Sequence, residues 1–186
     1  MTPALTIAAT VAQLCMADPC ARLAELHPLA AEPARAEKCR EVASAAREMG
    51  ADPVEVVALA WGESKMNADA VSPTGVGGAL QVSGVGCRAW LRAGSPGAYS
   101  GHPVRVVDGR PCDVVAAGVW QWMRRRARGG VREAACAYNA GSCPPAKVAR
   151  CDGSRSRMCR GWRWAGSVAA LVGRLLEAAT VAGGAR

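Results

Sequence analysis

Between residues 56 and 64 the chain reads Val56-Val57-Ala58-Leu59-Ala60-Trp61-Gly62-Glu63-Ser64, with a single carboxylate in an otherwise mostly apolar run. Glu63 follows Leu59 by four residues and Val56 by seven, so on a helix it shares their face. A carboxyl on an apolar face loses hydration when buried, which raises its pKa and keeps it protonated near neutrality. That is the state of a general acid able to protonate an oxygen leaving group. The plainer use of a Glu near a helix end is to turn to solvent, and the local pattern by itself favours that use.

The elements that must position this residue are helical. From Arg35 to Met49, Cys39, Val42, Ala43, Ala46 and Met49 recur at helical spacing with charges between them, and Gly50 stops the helix. Asp52-Pro53-Val54-Glu55 then predicts a new start, with Asp52 as cap, Pro53 in the first position and Glu55 bonding back to the cap's amide. This helix runs to about Lys65, and the Gly-, Ser- and Asn-rich residues 67–86 read as loop with a short strand or turn. Residues 94–112 read as a long Gly- and Pro-rich excursion. Further helices are expected at 113–128, ended by Gly129-Gly130, at 131–138 and at 168–179. The fold class is mainly α, with no internal repeat and no strand–helix alternation.

With 186 residues the chain suits one domain. It holds no run of about 20 apolar residues, the length that a membrane-spanning helix requires. A net charge of +8 draws it to polyanions such as nucleic acid, anionic membrane or the bacterial wall, without choosing among them. The N-terminal MTPALTIAATVAQLCMA has an apolar stretch of signal-like length but no basic residues before it, so a cleaved leader is not expected. Nine cysteines suggest an oxidising destination, and the odd number leaves at least one unpaired or paired between chains. Cys136, Cys143, Cys151 and Cys159 cluster in an Arg-, Gly- and Ser-rich stretch that reads as a disulfide-stapled loop. Zinc is the alternative there, but no Cys-x-x-Cys pair is present and His27 and His102 lie far off, so no metal site is expected. Arg124, Arg125, Arg126 and Arg128 fit a solvated helix end better than a nucleic-acid grip. Of six tryptophans, Trp162 and Trp164 are the best placed to meet a sugar ring.

A wider pattern surrounds Glu63. Ala58 to Asn67, then Ala70-Val71-Ser72-Pro73, then Gly75-Val76-Gly77-Gly78-Ala79-Leu80-Gln81 resembles the active-site signature of the soluble lytic transglycosylases, which share the goose-type lysozyme fold. Ala79-Leu80 stands where that family has Leu-Met. A second family element, Ala-Tyr-Asn-Ala-Gly, is intact at Ala137-Tyr138-Asn139-Ala140-Gly141. The chain departs from the family at Val114-Val115-Ala116-Ala117-Gly118, which lacks the usual Asn of Asn-Ile-x-x-Gly, and at Ser167-Val168, where Tyr-Val is usual.

The resemblance implies a single lysozyme-like helical domain over residues 35–179, with a small loop or short β region after the acid-bearing helix. Residues 1–34 are then an N-terminal extension and 180–186 a tail. It implies a peptidoglycan substrate, Glu63 as sole catalytic acid/base, and Ser72, Gln81, Tyr138 and Asn139 lining the glycan cleft, with the Tyr138 hydroxyl near Glu63. Ser64 would bond locally at the helix end. Cleavage between MurNAc and GlcNAc would leave 1,6-anhydro-MurNAc ends without a cofactor. The alternatives are a hydrolysing lysozyme, which needs a second carboxylate for which Asp69 is the nearest choice, and a non-catalytic structural or glycan-binding virion protein. The expected setting is a phage particle, with tail or other virion proteins as partners; a secretion or conjugation system acting in the periplasm is the other. No specific nucleic acid is expected as partner.

Overall fold

In a computed structural model the described residues are 18–73, 76–82, 113–128, 130–144, 148, 151 and 155–183. The N-terminal apolar stretch, the excursion at 94–112, Trp90, His102, Cys15, Cys87 and Cys112 lie outside them. The described chain is mainly helical: α1 (Pro19–Leu26), a 3-10 turn (Pro28–Ala31), α2 (Pro33–Glu48), α3 (Pro53–Ser64), α4 (Asp113–Arg126), α5 (Gly130–Ala140) and α6 (Arg157–Gly183).

Local chemistry sets the starts and stops. Asp52 caps α3 through a 2.8 Å bond from the Val54 amide, and Asp18 caps α1 in the same way, each followed by a proline at the first helical position. Helix α2 stops at Met49, with Gly50 at φ +64° and the Ala51 amide returning to the Ala46 carbonyl at 2.8 Å.

Helix α3 is the axis of the core. Val56, Val57, Ala58, Leu59 and Ala60 are each 0% exposed, so the helix is apolar on every side and is enclosed by its neighbours. It packs on α2 and α6, and the broadest helix–helix interface lies between α5 and α6. Residues 18–34 share this core through Cys20, Leu23 and Ala30, and the Cys20–Cys39 disulfide ties α1 to α2. The His27 ring stacks on Trp61 of α3 at 5.0 Å.

Glu55 departs from its expected role. Instead of returning to its own helix cap it is buried, accepting from the Trp120 indole at 3.2 Å and from Arg124 at 3.0 Å. Satisfying a buried carboxylate with two donors outweighs a surface capping bond, and the exchange joins α3 to α4. It also removes Arg124 from the solvated basic run. Helix α6 begins at Arg157, well before the expected 168: Met158, Trp162 and Ala165 extend its apolar face ahead of Val168, among arginines and glycines that read as loop.

Beyond α3 the described residues make one isolated antiparallel bridge, Val71 to Gly77, where a small loop or short β region is expected after the acid-bearing helix. No described helix is long and apolar enough to cross a membrane. Cys136 pairs with Cys143 and Cys151 with Cys159, so the clustered thiols are consumed in disulfides and the zinc alternative lapses.

Candidate active site

Glu63 stands at the last turn of α3, where the backbone reverses through two consecutive left-handed residues, Lys65 at φ 58° and Met66 at φ 60°. Met66 is buried and anchors this reversal, while Arg35 of α2 donates to the Lys65 carbonyl. The chain then forms a loop tied together by its own polar groups. The Ser72 amide donates to the Val76 carbonyl at 2.8 Å, and the Val76 amide returns to the Ser72 hydroxyl at 3.0 Å. Both hydrogens of the Gln81 amide are used inside the loop, on the Ala70 carbonyl at 3.0 Å and the Gly78 carbonyl at 2.8 Å.

Two further bonds dock the loop on the helices. The Ser64 hydroxyl donates its one hydrogen to the Ala79 carbonyl at 2.8 Å across the loop, with the Ala60 carbonyl of its own helix further off at 3.4 Å. From the other side Tyr138 of α5 donates to the Leu80 carbonyl at 2.8 Å. The two residues before Gln81 are thereby fixed between α3 and α5.

Asn139, next on α5, places its side-chain amide in hydrogen-bond contact with Glu63. Two opposed influences act on that carboxyl. Burial disfavours its charge and dominates, while the Asn139 bond favours the charge; together they raise the pKa from 4.5 to about 7. A carboxyl raised this far can keep its proton near neutrality, as a general acid must.

Helix α6 closes the third side. The Trp164 indole donates to the Gly62 carbonyl at 3.3 Å, filling one of the carbonyls that a helix end leaves unpaired. A Cβ at Gly62 would lie 2.9 Å from the Val168 Cγ2, so only glycine lets α6 cross α3 immediately before the acid. Trp162 faces elsewhere, with the Arg132 guanidinium over its ring at 4.2 Å.

The structure therefore brings Glu63 and Asn139 together and uses Tyr138, Gln81 and Ser72 in shaping the adjoining loop. Asp69 is exposed on that loop, its amide donating to the Asn67 side chain at 3.0 Å. Sequence reasoning missed the contributions of Gly62, Arg35 and the α6 start. A glycine inside a strongly helical apolar run was the available signal for the first, since it commonly marks a close approach.

Comparison with known proteins supplies the family. Neither the curated proteins nor the solved structures yielded a match. A family model described as Transglycosylase SLT domain matches residues 41–157, a span containing α3, the following loop and α5. With well over half of the chain matched, the protein belongs to the Transglycosylase SLT domain family, whose general activity is peptidoglycan transglycosylation.

Proposed function

We propose that the chain is a lytic transglycosylase that cuts the MurNAc–GlcNAc bond with Glu63 as its single acid/base. The observation that carries this reading is the state of Glu63, half-buried at a helix end beside Asn139 with a pKa raised to about 7. The protonated carboxyl gives its proton to the glycosidic oxygen as the bond from that oxygen to C1 of the muramic sugar breaks. The N-acetyl oxygen of the same sugar shares the positive charge at C1. The carboxylate then takes the proton of the sugar's 6-hydroxyl, O6 bonds to C1, and Glu63 is restored as acid. The product is a 1,6-anhydromuramic end, with no water consumed and no cofactor needed.

The disposition of the other carboxylates supports one acid over two. Glu55, on the same helix, is about 12 Å away along the axis and is committed to Trp120 and Arg124. An inverting hydrolase separates its carboxyl groups by roughly 6.5–9.5 Å and a retaining one by about 5 Å. Asp69 lies in the exposed loop. Ser72, Gln81, Tyr138 and Asn139 supply the glycan-facing wall in this reading, Gln81 through its carbonyl oxygen because its amide hydrogens hold the loop.

Mass spectrometry of fragments released from purified sacculi tests the proposal. Anhydro ends are expected, and reducing ends would assign the chain to the hydrolases. The wall places its work outside the cytoplasm, and the net charge of +8 favours the anionic polymer. A phage particle as carrier is tested against a secretion machine by immunodetection in purified virions and in periplasmic fractions.

A further inference from the structure

Helices α5 and α6 come close where α6 carries Gly161. A Cβ at this position would lie 3.2 Å from the Ala140 Cβ and 3.2 Å from the Asn139 Oδ1, so the bare backbone is in direct contact with the amide that bonds Glu63. The contact also fixes which way that amide points. An Asn side chain accepts at one end and donates at the other, and a carboxylate only accepts. With Oδ1 turned against α6, Nδ2 is the end presented to Glu63.

Both helices are pinned beside this contact. Cys136, one turn before Asn139, is bonded to Cys143, and Cys159, just before Gly161, is bonded to Cys151. All four sulfur-bearing residues are buried. Of the charged side chains on these two helices, Arg132 lies over the Trp162 ring at 4.2 Å and Arg160, next to Gly161, donates to the Arg155 carbonyl.

We propose that Gly161 is a positioning residue, whose lack of a side chain sets the α5–α6 spacing that holds the Asn139 amide against Glu63. The consequence for catalysis rests on the reading of Glu63 given above. Without the Asn139 donor, burial acts on the carboxyl unopposed. Glu63 then holds its proton more firmly and becomes a poorer acceptor for the 6-hydroxyl proton in the second half of the reaction. Gly161 thereby helps to balance the two duties of one group.

The test is a carbon-13 NMR titration of the Glu63 side-chain carboxyl, assigned by its loss in Glu63→Gln, in the full chain with its disulfides intact. Gly161→Ala and Asn139→Ala should each raise the Glu63 midpoint by about half a unit or more, and the double variant should raise it no further. Purely structural damage would lower thermal stability without this shift or its saturation. An unchanged midpoint in Gly161→Ala would overturn the proposal. Should that variant fail to fold, Ala140→Gly combined with Gly161→Ala removes one of the two close contacts and keeps the one to Asn139. A wild-type midpoint there is equally fatal. Because the titration needs no turnover, a displaced midpoint in a protein that leaves sacculi intact supports the positioning role and counts only against the lytic reading.

Discussion

Trp164 of α6 donates its indole hydrogen to the carbonyl of Gly62, the residue before Glu63, across 3.3 Å. A Cβ at 62 would also stand 3.2 Å from the Trp164 ring, tighter than ordinary van der Waals contact. Gly62→Ala should therefore overpack the crossing of α3 and α6 and cost about 1–3 kcal/mol. Urea unfolding measures this, and adding Val168→Ala, which empties the nearest contact, should recover part of the loss. A Gly62→Ala protein as stable as the parent would show that the crossing has slack.

Glu63→Gln should abolish glycan cleavage while leaving fold and wall binding nearly unchanged. Gln has almost the shape of protonated Glu but cannot donate an acidic proton to the glycosidic oxygen. Positioned proton transfer typically contributes 10² to 10⁴-fold, and with no second carboxylate to share the task the loss should reach the upper end. Digestion of purified sacculi reads it, with Asp69→Asn as companion. Comparable losses in both variants would establish a two-carboxylate mechanism instead.

The raised Glu63 pKa also fixes a pH dependence. The folded protein holds this proton more tightly than the unfolded chain, so the associated stability is complete below about pH 4.5 and is lost as the pH rises through about 7. The difference in unfolding free energy between the parent and Glu63→Gln should fall across that window, by up to about 3 kcal/mol. Cleavage, which starts with proton donation, should decline over its upper part. A stability difference that stays constant with pH would mean that Glu63 titrates alike in both states.

Opening the Cys136–Cys143 bond should impair the site more than its short loop suggests. The bond encloses Tyr138 and Asn139. Closing a loop of this size is worth about 2–3 kcal/mol, but the released turn also carries the Glu63 partner. A dithiol gives two electrons and two protons to each disulfide and yields two thiols. Cys136→Ser/Cys143→Ser should retain helical content and lose most cleavage; full activity in that protein would confine the bond to a stabilising role.

Much of this architecture was legible from the chain because it is encoded locally. Asp52-Pro53 announces α3, Gly50 ends α2, and the two motifs mark the loop and α5 in order. What escaped was encoded in contacts between distant segments. Glu55 fits a capping box, yet two donors 65 and 69 residues further on draw it inward. The first turns of α6 carry apolar residues at helical spacing, Met158, Trp162 and Ala165, but the arginines and glycines among them, Gly161 included, carry loop-like local propensity that packing on α5 overrides. Glu63 was singled out by the motif around it, its helical face alone favouring a solvent-facing role, and the Asn139 amide that tempers its burial depends on tertiary approach.

The three described disulfides share one property of order: each cysteine is joined to the next cysteine along the chain, Cys20 to Cys39, Cys136 to Cys143 and Cys151 to Cys159. A polypeptide entering an oxidising space amino end first can close each bond as soon as the second thiol arrives. Cys15 enters ahead of Cys20, however, so pairing strictly in order of arrival would join those two first, and the Cys20–Cys39 bond depends on α1 and α2 packing together or on later thiol–disulfide exchange.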